Sequence, residues 1–171
     1  MPIELVIMDL DAVATRRGGD FTEVFGMTPA LRRLRAAGLK VAVTTERTRR
    51  EAHAALADLG WLGGELVDAC ITTSDAPRPA PHPDMVPLAM RELAVTAAYR
   101  VAKVSGSPLG LLQGATAGCS VVIGVLDRGF EERALRGAPC THVAPTAALV
   151  PELLRRVIRR TAVDARRLQE T

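Results

Sequence analysis

Aromatic side chains are nearly missing, 3% of the 171 residues, and cysteine is scarcer still, with three. A protein that binds single-stranded nucleic acid stacks bases on aromatic platforms, so the mild net charge of +3 without such platforms argues against a nucleic-acid partner. The three cysteines, Cys70, Cys119 and Cys140, are odd in number, far apart and without a C-x-x-C spacing, which excludes a disulfide framework or a zinc site and predicts buried thiols in a reducing compartment. No stretch approaches the ~18 to 20 apolar residues of a membrane span, and Met1-Pro2-Ile3-Glu4 has neither the basic nor the apolar region of a secretion signal. A cytoplasmic protein with no membrane partner is expected.

What the chain does have is aliphatic bulk. Hydrophobic residues reach 48%, so Leu, Val, Ile and Ala must fill the interior, as in a sheet covered on both faces by helices. The length fits one domain over residues 1–171.

Short apolar runs alternate with helical patterns. Ile3 to Met8 reads as a buried strand that stops at Asp9. A helix follows, opened by Thr28-Pro29 and closed by Gly38. Leu39 to Val43 is a second strand ending at Thr44-Thr45, and Thr48 to Leu59 a helix closed by Gly60. Leu66 to Thr72 reads as a third strand. The proline-rich stretch Pro77 to Pro83 is a stiff loop before a helix to Ala94. Arg100 to Val104, a helix from Leu109 to Ala117, Ser120 to Val125, a short strand at Thr141 to Ala144 and a helix from Val150 to Leu168 complete the series. The last helix carries Leu153, Leu154, Val157, Ile158, Ala162, Ala165 and Leu168 on one side and arginines largely on the other. The pattern predicts an α/β fold with a Rossmann-like, doubly wound parallel sheet, whose ligand crevice lies at the carboxyl ends of the strands.

The residues to weigh are therefore those that follow strands: Asp9 and Asp11, Thr44 and Thr45, Ser74 and Asp75, and Ser105 to Ser107. Two aspartates one residue apart can serve as nucleophile and proton donor, although Asp also simply ends strands and caps turns. A threonine before a helix start can hold an anionic oxygen, or merely cap the helix.

Their order resembles the haloacid dehalogenase (HAD) superfamily over most of the chain. Val6-Ile7-Met8 followed by Asp9-Leu10-Asp11-Ala12-Val13 is similar to the family's first motif, and Val41-Ala42-Val43-Thr44 to its second. Arg78-Pro79-Ala80-Pro81, then His82-Pro83, then Asp84-Met85, resembles the pattern of the phosphonatase-like branch. The stretches from Ala117 to Leu126 and from Ala138 to Val143 look like that branch as well. The resemblance implies that Asp9 is the nucleophile and Asp11 the general acid and base. Thr44, with Thr45, Ser105 and Ser107 nearby, would bind the anion, and Arg78 would be the neutralising cation.

Two departures shape the functional expectation. Where the family's fourth motif has two aspartates, this chain has glycines within Ser105-Gly106-Ser107-Pro108-Leu109-Gly110. Mg²⁺ needs several hard oxygens, so weak or absent magnesium binding and no metal ligands are expected, unless His82 or Asp75 substitutes. Second, only a short loop over residues 14–27 stands where the phosphonatase-like branch carries a cap domain, and it lacks the Schiff-base lysine that carbon-phosphorus cleavage requires. The expected protein is a capless HAD-like hydrolase acting on a small anionic molecule through metal-independent Asp chemistry, as the dehalogenase branch does. A catalytically inactive relative serving as a binding or assembly partner is the alternative, and a residual phosphatase the third reading. A second copy or another protein could cover the open crevice.

Overall fold

The computed structural model describes residues 3–128 and 132–169. Its elements in chain order are β1 (Leu5–Asp9), α1 (Leu10–Val13), β2 (Ala14–Arg17), β3 (Asp20–Glu23), α2 (Met27–Ala36), β4 (Lys40–Thr45), α3 (Arg49–Asp58) and β5 (Ala69–Thr72). Then follow α4 (Met85–Glu92), β6 (Val101–Ser105), α5 (Pro108–Thr116), β7 (Val121–Val125), α6 (Glu132–Gly137), β8 (His142–Ala144) and α7 (Val150–Gln169). Six strands form one sheet in the order β5-β4-β1-β6-β7-β8, and every pairing in it is parallel. The predicted α/β architecture with a Rossmann-like sheet is the one observed.

Strands buried on both faces explain the unbroken apolar runs. One face packs Leu31 and Leu34 of α2, Ala55 and Leu56 of α3, and Val150 and Leu154 of α7 against Val6, Met8, Val41 and Val43. The other packs Met85, Val86 and Ala89 of α4, Leu111 of α5 and Leu135 of α6 against Leu5, Ile7, Ala42 and Val101.

Register brings the chemistry together. Asp9 pairs with Thr44 and Ile7 with Ala42, while Leu5 pairs with Val101 and Ile7 with Lys103. Because side chains alternate, Leu5, Ile7 and Asp9 share a face with Ala42 and Thr44 and with Val101, Lys103 and Ser105. On that face, apolar rows lead up to a polar row at the carboxyl ends. Lys103 stands one row below Asp9.

Several boundaries differ from the sequence expectation. The stretch 14–27, read as a short loop, contains the antiparallel hairpin β2–β3, in which Arg16 pairs with Phe21 and Arg17 with Asp20. Its turn is Gly18-Gly19, both at positive φ, where residues with a Cβ are strained. The strands escaped notice because Ala14–Arg17 and Asp20–Glu23 carry too few apolar residues to show a period of two. Thr28 does not cap α2: the cap is Gly26, two residues earlier and in the left-handed region, and Thr28 gives its N–H and hydroxyl to Glu23 Oε2 at 2.7 and 2.5 Å. Thr48 does cap α3, with Glu51 completing a capping box, and the Thr48 hydrogen bonds hold the Glu51 carboxyl below its ordinary pKa. β5 is shorter than expected because Asp68 spends its carboxylate on Val41 N at 2.7 Å and Arg35 at 2.6 Å just before the ladder begins. α6 was not anticipated. In α7, Leu154 is buried, Leu153, Val157 and Ile158 are half-buried, and Arg155, Arg156, Arg159 and Arg160 are exposed. The side chains expected to extend that stripe, Ala162, Ala165 and Leu168, lie outside the described residues. No helix among the described residues is long and apolar enough to cross a membrane.

Candidate active site

A cavity of about 330 Å³ opens at the carboxyl ends of β1, β4 and β6, lined among others by Asp9, Asp11, Thr44, Thr45, Ser105, Ser107 and Gly110. At its floor the Asp9 Oδ1 accepts hydrogen bonds from Thr44 Oγ1 at 2.7 Å and Lys103 Nζ at 2.6 Å. The ammonium also donates to Thr44 Oγ1 at 2.8 Å. The Lys103 side chain is 0% exposed and that of Asp9 24%. A fully buried ammonium persists only when paired and hydrogen-bonded, and here one carboxylate oxygen and one hydroxyl do both.

The lysine stem reaches Asp9 because α5 gives way to it. A Cβ placed on Gly114 would come within 2.6 Å of both Cβ and Cγ of Lys103. Gly114→Ala should therefore destabilise the domain by about 1–3 kcal/mol, the usual cost of overpacking a core. A urea titration checks this, and an unchanged midpoint would show that the stem has room to move.

One turn earlier, Gly110 is closed in from the other side. A Cβ there would lie 2.2 Å from Ser105 Oγ, 2.9 Å from Ser105 Cβ and 2.3 Å from Asp9 Oδ2. Ser105 is fully buried; its Oγ accepts from Ser107 N at 3.1 Å and lies 3.2 Å from Ser107 O, to which it donates. Ser107 caps α5, accepting from Gly110 N at 3.1 Å, with Pro108 in the first helical turn. Both serines thus line the cavity while spending hydrogen bonds on the turn that builds it. Thr45 does the same for its loop, accepting from Arg47 N at 3.2 Å.

Asp11 stands at the mouth, its side chain 70% exposed and bonded to Arg47 Nη2 at 3.0 Å. Arg78 is placed elsewhere. It forks onto Asp84 through Nε and Nη2 at 3.0 and 2.8 Å, which raises its own pKa and lowers that of Asp84, and it is not among the residues lining the cavity. The cation on Asp9 is Lys103. Asp75 and His82 also lie off the lining: Asp75 accepts from the hydroxyl and N–H of Thr72 and pairs with Arg49, and these hold its carboxyl below the ordinary value, the Thr72 hydroxyl most. The His82 carbonyl accepts from Gln113 Nε2 at 3.0 Å. Among the described residues no three His, Cys, Asp or Glu side chains converge as metal ligands. The thiols of Cys70 and Cys119 are pushed up to about 11, chiefly by burial, so both are protonated and inert at neutral pH.

Sequence reasoning missed Lys103 and Arg47. A signal for the first was present: a lone charge inside the apolar strand Val101-Ala102-Lys103-Val104 must find a buried partner. Nothing in the sequence distinguished Arg47 from its neighbours Arg49 and Arg50.

A parallel sheet with Asp9 at the end of its central strand and Thr44 at the end of the next is the arrangement that the HAD resemblance implies. A model of the haloacid dehalogenase-like hydrolases matches residues 4–118, and the chain belongs to that family. None of the curated proteins matches it. Among solved structures, a putative β-phosphoglucomutase from Thermotoga maritima superposes with a TM-score of 0.74 at 16% identity, covering 92% of this chain and 99% of that one. A phosphonoacetaldehyde hydrolase-like protein from Oleispira antarctica gives 0.71 at 23% identity, over 81% of this chain and 58% of that one. A HAD family hydrolase from Deinococcus radiodurans, with bound phosphate and sodium, gives 0.66 at 26% identity, over 75% and 56%. The chain thus spans little more than half the length of the last two.

Proposed function

We propose that this protein is a hydrolase-type enzyme that acts on a small anionic molecule without magnesium, with the buried Lys103 ammonium neutralising Asp9 from beneath. The observation that carries this reading is the Lys103 Nζ at 2.6 Å from Asp9 Oδ1.

The residues present do not fit a magnesium shell. An octahedral ion needs several hard oxygens around it. Of the carboxylates lining the cavity, Asp9, Asp11 and Glu46, the first is held by Lys103 and the second by Arg47, which leaves the exposed Glu46 as one carboxylate where an octahedral shell needs several oxygens. Where the family resemblance calls for further aspartates the chain has Gly106 and Gly110, and at Gly110 there is no room for a Cβ beside Ser105 and Asp9.

The chemistry left to the chain's own groups is nucleophilic. Thr44 and Lys103 fix Asp9 through Oδ1 and neutralise its charge against an approaching anion, while Oδ2 faces the Gly110 side of the cavity. Attack by the carboxylate forms an ester with a 2-haloacid, expelling halide, or an acyl phosphate with a phosphate ester, expelling the alkoxide that Asp11 protonates. Water then hydrolyses the ester or acyl phosphate and returns Asp9. The hairpin β2–β3 in place of a larger insertion leaves the mouth open to the small molecule.

The test is a panel of phosphate esters and 2-haloacids assayed in EDTA and in excess Mg²⁺. Turnover in EDTA that Asp9→Asn reduces by at least about 10³-fold is expected for loss of a nucleophile. Turnover only with Mg²⁺ would overturn the reading, and none on any substrate would favour a binding protein that has kept the fold.

A further inference from the structure

We propose that Arg47 is the specificity-determining residue of this site, reserved for a second anionic group of the ligand, and that Asp11 occupies it until such a ligand arrives. The inference rests on the metal-free anion site proposed above.

Arg47 follows Thr44 and Thr45 on the loop into α3, and its N–H is held by the Thr45 hydroxyl; it stands just outside the cavity lining, next to Glu46 and bonded to Asp11, which both belong to it. Its guanidinium lies over the ring of Phe21, with Cζ 5.1 Å from the centroid. Phe21 belongs to β3, and its N–H is anchored on Asp58 Oδ2 at the end of α3 at 3.1 Å. Loop, hairpin and helix therefore hold the guanidinium between them. Arg16 approaches the same ring at 5.9 Å while its Nε donates to Gly19 O in the hairpin turn. A guanidinium near an aromatic face can still offer its N–H donors to carboxylate or phosphate oxygens.

The anion it meets in this structure belongs to the protein. Nη2 bonds Asp11 Oδ1 at 3.0 Å, and the Asp11 side chain is 70% exposed. The exposed Asp11 end of the pair is open to solvent, which weakens its hold on the less exposed Arg47. The pairing is also incomplete, because the Arg47 Nε is buried without a hydrogen-bond partner among the described residues, and a buried unsatisfied donor disfavours the arrangement that creates it. A ligand oxygen that engaged Nε as well as Nη2 would satisfy the donor that Asp11 leaves unpaired, and so compete with Asp11. The displaced carboxylate can then turn toward Asp9, where its acid/base work lies. The ligand class that follows is a small molecule with two separated anionic groups, one for Lys103 and Thr44 and one for Arg47.

The experiment is calorimetric titration in EDTA with ethylphosphonate and 3-phosphonopropionate, which match except for the terminal carboxylate. Wild type is expected to prefer 3-phosphonopropionate by at least tenfold. Arg47→Ala should abolish that preference and Arg47→Lys, which keeps the charge but loses the fork, should reduce it. Asp11→Asn should strengthen binding of 3-phosphonopropionate by removing the competitor. If ethylphosphonate binds in EDTA but wild type shows no preference, or the preference survives in both Arg47 variants, this inference falls alone. If ethylphosphonate binds only when Mg²⁺ is added, the metal-free site itself is wrong.

Discussion

Asp9→Ala is expected to lower the unfolding free energy by about 3–5 kcal/mol, and adding Lys103→Met to restore most of that loss. The Lys103 ammonium is fully buried, and its two hydrogen bonds go to Asp9 and to Thr44. Removing the carboxylate leaves a cation in a low-dielectric interior with one neutral hydroxyl. Methionine, with nearly the same stem, fills the slot beside Gly114 without a charge to satisfy. Lys103→Met alone should cost less than Asp9→Ala, because the Asp9 side chain keeps 24% exposure and can be solvated. Urea unfolding of the two single variants and the double variant checks this through the coupling term. Independent, additive losses would mean that the ion pair does not organise the site.

The second large effect concerns the metal. Gly110→Asp alone should destabilise the protein and yield no magnesium response, since its Cβ would meet Ser105 and Asp9. Ser105→Gly removes two of the three close contacts, so Ser105→Gly/Gly110→Asp should be more stable than the sum of the single effects predicts. Adding Gly106→Asp supplies two carboxylates to the mouth of β6, and phosphatase activity that rises at least tenfold with Mg²⁺, about 1.4 kcal/mol of transition-state stabilisation, is then expected. Failure of the triple variant to respond to Mg²⁺ while folding normally would show that Lys103, rather than missing carboxylates, keeps the ion out. That outcome directs the next substitution to Lys103.

These predictions mark the boundary between what could be read along the chain and what could not. The strand ends were legible, because a buried parallel strand is a short apolar run that stops at its first polar residue, and so Asp9, Thr44 and Ser105 were identified as neighbours of a crevice. The helix stops at Gly38, Gly60 and Gly118 were legible for a local reason: each sits at positive φ, where glycine is favoured. Arg78 was singled out on resemblance, yet its fork is engaged by Asp84, six residues on; a motif specifies a residue type but not which of several nearby partners captures it. The hairpin strands were not legible, since their stability comes from Phe21 packing and from Asp58, far along the chain.

By itself the sequence determined the parallel α/β sheet, the place of its crevice and the glycines at positions 106 and 110 within it, because backbone periodicity and side-chain identity are local properties. Only the tertiary structure decided that Lys103 neutralises Asp9, that Gly110 and Gly114 admit those groups, and that Arg47 holds Asp11. Each of those depends on a register between strands or a contact across layers, and such distances are fixed by packing rather than by order along the chain.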